Sequence, residues 1–194
     1  MPTAGEQVWD DSDADDNGLP LHDNDNMLGY NGTFGNIGVS LAYVNGGAGG
    51  KDGGASDSSW VVTYDGLMDG LSLGVGQGEN GTTNDLSTLY AKYTAGSITV
   101  GYQFSEIENA QGTADEESRH IAASIAVNEN LSVSAGRFEV DMGAGTVDEE
   151  STGFSASYTM GSSTIGFVAN STENVAGTAN SDDSYREISV SFAF

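Results

Sequence analysis

From residue 27 onward the chain alternates apolar with small polar side chains, stretch after stretch, and that period of two describes a β-strand whose two faces meet different surroundings. Ile98, Val100, Tyr102 and Phe104 alternate with Thr99, Gly101, Gln103 and Ser105. Phe154, Ala156, Tyr158 and Met160 alternate with Ser155, Ser157 and Thr159, and the last stretch sets Ile188, Val190, Phe192 and Phe194 against Glu187, Ser189, Ser191 and Ala193. Turn residues bound each copy. This reading predicts about eleven strands, at 27–34, 37–44, 59–65, 71–77, 85–95, 97–106, 118–127, 131–140, 151–160, 164–171 and 185–194. Composition agrees: 28 glycines and few lysines suit an all-β chain better than a helical bundle.

The connections fall into two classes that alternate. Short turns at Gly35-Asn36, Gly66 to Gly70, Gly96, Asn128 to Asn130 and Gly161 to Ser163 take turns with longer, acidic, Gly-rich loops near 45–58, 78–84, 107–117, 141–150 and 172–184. Tight turns at one end and long loops at the other describe an antiparallel up-and-down meander. One face of each strand is apolar; the other is mainly Ser, Thr, Gly, Gln and Asn, with charge held in the loops. That partition predicts a transmembrane β-barrel with lipid outside and water inside, because backbone polar groups in lipid need partners within the protein.

Aromatic residues sort toward the two ends of the strands, as two membrane interfaces would require. Phe34, Tyr64, Tyr93, Tyr158, Phe192 and Phe194 lie toward the short turns. Tyr43, Trp60, Tyr102, Phe104, Phe138, Phe154 and Tyr185 lie toward the long loops. The net charge of −24 would repel a phosphate backbone and excludes nucleic acid as a partner. With no cysteine there is neither a disulfide framework nor thiolate chemistry.

At its two ends this pattern resembles the Gram-negative general-diffusion porins, in their alphaproteobacterial form. The terminal Tyr185-Arg186-Glu187-Ile188-Ser189-Val190-Ser191-Phe192-Ala193-Phe194 is similar to the closing strand that the outer-membrane assembly machinery reads, with Tyr185, Ile188, Val190, Phe192 and Phe194 as the signal. Asn17-Gly18-Leu19-Pro20, then Asp25 to Tyr30 and Phe34 to Tyr43, resemble the passage that follows the family's pore-constriction loop. The resemblance implies about sixteen strands, of which roughly eleven are present here. It divides the chain into a constriction-loop remnant at 1–26 and a barrel segment at 27–194, and implies a secretory leader and roughly five further strands upstream. It further implies an outer-membrane homotrimer that passes small hydrophilic solutes and ions passively, without a cofactor.

The same resemblance assigns candidate site residues. Glu6, Asp10, Asp11, Asp13, Asp15 and Asp16 would form the acidic side of the constriction, facing basic side chains on the wall across a transverse field. The candidate wall cations are Lys92, Arg137, Arg119 and Arg186. Lys92 shares a face with Thr88 and Tyr90 and is expected in the lumen, whereas Arg119 and Arg186 share parity with apolar residues and suit the rim. At Arg137 the alternation slips, from Leu131, Val133 and Ala135 to Phe138 and Val140, which suggests a β-bulge turning Arg137 inward.

Asp13, Asp15 and Asn17 match the first half of a calcium loop, but Asn24 stands where the closing glutamate belongs and Pro20 interrupts. A loop that binds nothing tightly is the favoured reading there, with Ca2+ as the candidate ion. His22 and His120 lack the spaced partners of a transition-metal site, and no nucleophile elbow or triad appears. The chain is therefore not expected to be an enzyme. The rival from another class is a soluble acidic β-sandwich or adhesin-like module, calcium-dependent or not; a barrel serving as enzyme or translocator ranks last.

Overall fold

The computed structural model describes residues 27–45, 56–80, 84–109, 115–143 and 146–193. Within them one antiparallel sheet runs strictly in chain order: β1 (Met27–Phe34), β2 (Ile37–Val44), β3 (Asp57–Tyr64), β4 (Leu71–Asn80), β5 (Asn84–Ala95), β6 (Ile98–Asn109), β7 (Glu116–Ala126), β8 (Leu131–Asp141), β9 (Glu149–Met160), β10 (Ser163–Glu173) and β11 (Asp183–Phe192). Each strand pairs with its sequence neighbours, so all eleven form a single up-and-down layer. A short 3-10 turn at Val175–Gly177 precedes β11.

The short turns fix the register. Gly35, Gly96 and Gly161 each open a two-residue hairpin connection with φ of +63°, +59° and +62°, a conformation glycine adopts without steric cost and one that matches strand twist. Between β7 and β8 the work is done by a side chain: Asn128 Oδ1 accepts from the Asn130 and Leu131 N–H groups at 2.8 and 2.9 Å. With register pinned at these turns, apolar residues meet apolar residues across every ladder. Phe34 pairs with Ile37, Tyr64 with Leu73, Leu89 with Phe104, Tyr102 with Ile121 and Ile165 with Val190.

The expected strands all form, and the larger differences lie at the long-loop ends. There β4, β5, β6, β9 and β10 run on into polar and charged residues beyond the apolar alternation, to Asn80, Asn84, Asn109, Glu149 and Glu173. Ladder hydrogen bonds use only the backbone, so pairing continues after the apolar stripe has ended.

The expected bulge at Arg137 is absent. Pairing through β8 is unbroken on both sides, with Arg137 opposite Ile121 and Thr152, and Phe138 opposite His120 and Ser151. The slip in alternation has another cause: Phe138 and Val140 belong to the polar face, where both are fully buried.

Candidate functional site

The apolar face is exposed along the whole sheet. Leu28 is 75% exposed, Ile121 59%, Ile165 45%, Ile188 73% and Phe192 60%, and ladder partners join them into one belt from β1 to β11. Among the described residues no second layer covers it, contrary to what a soluble sandwich requires. An apolar surface this extensive is not stable against water, and hydrocarbon is the medium it fits.

Phe34, Tyr64, Tyr93, Tyr158 and Phe192 belong to this face at the short-turn end; Tyr43, Trp60, Tyr102, Phe104 and Phe154 belong to it toward the long loops. Phe138 and Tyr185 do not. Their register puts them on the opposite face, across from His120 and Asn170, so neither joins an aromatic girdle, and Tyr185 lies on the other face from Ile188, Val190 and Phe192.

The second face is built of hydroxyls, glycine and amide groups that satisfy one another across the strands. Thr94 meets Thr99 at 3.0 Å, Thr88 meets Ser105 at 2.8 Å, Ser134 meets Ser155 at 2.6 Å, Ser151 meets Thr172 at 2.6 Å and Thr159 meets Thr164 at 3.1 Å, every one a directly opposed pair. Such pairs tie strands together while leaving a surface water can wet. Tyr90 lies over Gly74, where any side chain would collide with its ring.

Toward the long loops this polar face is buried. Gln103 donates through Nε2 to Thr88 Oγ1 and Ser105 Oγ, each at 3.3 Å, and the His120 ring packs 4.0 Å from that of Phe138. Gln103 Oε1, Ser118 Oγ and both His120 ring nitrogens are sealed from solvent without a hydrogen-bond partner. Sequence reading noted His120 only as lacking the partners of a metal site and did not assemble this cluster; its one signal was the pair of bulky residues, Phe138 and Val140, on an otherwise small-residue face.

At the top of β9 the buried Glu149 also points to the polar side and accepts the Ala176 N–H at 2.6 Å. Asn174 Nδ2 donates to the Asp148 carbonyl at 3.1 Å, so the β10–β11 connection is held against the start of β9. Asn174, Ala176 and Asn180 there adopt left-handed φ of 56°, 53° and 61°.

The four candidate cations separate. Lys92 is exposed on the polar face, level with Ser72 and Gly101. Arg119, Arg137 and Arg186 lie on the apolar face, opposite Phe104, Ile121 and Ala169 respectively. Arg119 pairs with Glu117 at 2.7 Å and Glu139 at 3.7 Å, while Arg137 pairs with Glu139 at 3.1 Å and Glu150 at 2.6 Å. These ions form a chain across β7, β8 and β9 just above the apolar belt.

Several candidates lie outside the described residues: Glu6, Asp10, Asp11, Asp13, Asp15 and Asp16, the calcium candidates Asp13, Asp15 and Asn17, His22, and the terminal Phe194. Among the described residues no group of three or more His, Asp or Glu side chains is gathered to hold a metal ion.

A single layer of antiparallel strands, lipid-compatible on one face and water-compatible on the other, is the wall of a transmembrane β-barrel protein. The chain belongs to the Gram-negative porin family, whose model matches residues 5–194, and so to the outer membrane. No curated protein matches it. Among solved structures it is similar to an anion-selective porin from Comamonas acidovorans, at TM-score 0.71 and 16% identity over 87% of this chain and 59% of that one. It is equally similar to Pseudomonas aeruginosa OccK3 (OpdO), at 0.71 and 16% over 87% of this chain and 58% of that one. OmpT, an outer membrane protein of Vibrio cholerae, follows at 0.61 and 14% over 84% and 60%. The chain thus spans under two thirds of the length of these proteins, and at such identities they share its fold.

Proposed function

We propose that the protein is a water-filled outer-membrane channel through which small hydrophilic solutes and ions diffuse passively. One observation carries this reading: the strands that present an unbroken apolar belt on one face present paired hydroxyls and glycine on the other, so water and hydrocarbon can each wet one side of a single layer. Further strands would join β1 to β11, since an open sheet leaves unpaired backbone at both edges and lipid does not tolerate it.

In this reading residues 1–26 are the remnant of a constriction loop. Across the lumen the carboxylates of Glu6 and Asp10 to Asp16 oppose Lys92, and the field between them favours polar solutes. Assembly as a homotrimer, and recognition of the closing strand by the outer-membrane assembly machinery, accompany this reading, with Tyr185, Ile188, Val190, Phe192 and Phe194 as the signal.

The test is reconstitution of the complete protein into planar bilayers and liposomes. Stepwise ohmic conductance, with liposome swelling in small sugars but not in large polysaccharides, is expected; a tight membrane in both assays would refute the proposal.

A further inference from the structure

The sheet sorts its charged residues by face, and the sorting is unequal. All three arginines among the candidate wall cations lie away from the polar face, Arg137 against expectation: Arg119 and Arg137 are tied into the ion chain with Glu117, Glu139 and Glu150, and Arg186 stands beside Ala169 on the apolar face. Among the described residues Lys92 is then the one cationic side chain on the polar face. Carboxylates on that face are Asp57, Glu116, Glu149, Asp183 and Glu187, each placed there by its ladder partner: Val44, Ile107, Val140, Thr172 and Val168. Four of these five begin their strands at the long-loop end, on β3, β7, β9 and β11, and so edge the mouth.

Resting on the channel reading above, we infer that the pore prefers cations over anions, because its polar wall keeps its carboxylates while its arginines serve the outer rim. Mobile ions entering between low-dielectric walls sample the summed field of the lining, and a negative lining raises the local cation concentration. Charges on the lipid side are separated from the lumen by the wall, and Arg119 and Arg137 are paired with carboxylates there, so these arginines contribute little. The preference is opposite to the one in the name of the similar Comamonas porin. It should also weaken with salt, since the screening length falls from about 10 Å at 0.1 M to about 3 Å at 1 M.

Reversal potentials across planar bilayers holding the complete protein, under a potassium chloride gradient at neutral pH, test the inference. The expected sign is that of potassium permeating faster than chloride, with the ratio falling as mean salt rises. Lys92→Gln should raise the ratio, and the pair Asp183→Asn and Glu187→Gln should lower it. Arg137→Gln should leave it unchanged. Chloride preference in the unsubstituted protein, or an Arg137→Gln shift as large as that of Lys92→Gln, would overturn the inference. Absence of any current would instead defeat the channel reading on which it rests.

Discussion

Thr88 and His120 lie on the same buried patch of polar face and should respond to substitution in opposite ways. Thr88 Oγ1 meets the Phe104 carbonyl at 3.2 Å, the Ser105 hydroxyl at 2.8 Å and the Gln103 amide at 3.3 Å. Thr88→Val keeps the shape and strands those partners, which costs about 1–3 kcal/mol. His120 instead has two buried ring nitrogens without partners and a ring already packed on Phe138. His120→Phe preserves the ring contact and removes the unmet polar atoms, so stability should hold or rise by up to about 1–3 kcal/mol. Urea unfolding in detergent, followed by tryptophan fluorescence, reads both changes. A Thr88→Val midpoint at or above the parent value, or a sharp loss for His120→Phe, would show that the patch is held differently.

At the scale of single elements, the β10–β11 connection is an ordered strap more than a free loop. Its backbone closes on itself through the Val175 N–H to the Ser181 carbonyl at 2.6 Å, and the carboxylate of Glu149 anchors it from outside at Ala176. Gly177 fits there with φ of +66°, and a side chain on it would press on Met142 and Thr146. Glu149→Leu removes the anchor and should open the segment between Glu173 and Asp183 to proteinase K. Glu149→Gln retains an acceptor oxygen and should stay protected. Equal protection in both variants would remove Glu149 as the anchor.

Strand number and register were legible because period two and the glycine turns are local signals, visible at Gly96 or in Ile98 to Ser105 without any knowledge of the fold. Strand ends were less so, since at Asn80, Asn109 or Glu173 the backbone stays paired where side chains no longer alternate. The site was harder still. Arg137 was expected inward because a β-bulge and an apolar residue switching faces give the same broken alternation in sequence. Only the ladder separates them, by pairing Phe138 with His120. Tyr185 was grouped with the long-loop aromatics of the apolar face, but it lies an odd number of residues from Ile188, and strand parity overrides a shared aromatic character.

For the whole molecule, everything rests on hydrocarbon meeting one face of the sheet and water the other. The absence of native cysteine makes this directly measurable, because single cysteines can be placed at will for nitroxide labelling. On β5 the substituted positions would be Leu89, Ala91 and Tyr93 on the apolar face and Tyr90, Lys92 and Thr94 on the polar one. With the complete protein folded into lipid vesicles, collision rates with oxygen, which concentrates in lipid, and with a water-soluble nickel chelate would be compared position by position. The two rates should alternate out of phase, with oxygen dominant at 89, 91 and 93 and nickel dominant at 92 and 94. Equal nickel access at both sets, or oxygen access at neither, would mean that the sheet does not divide lipid from water.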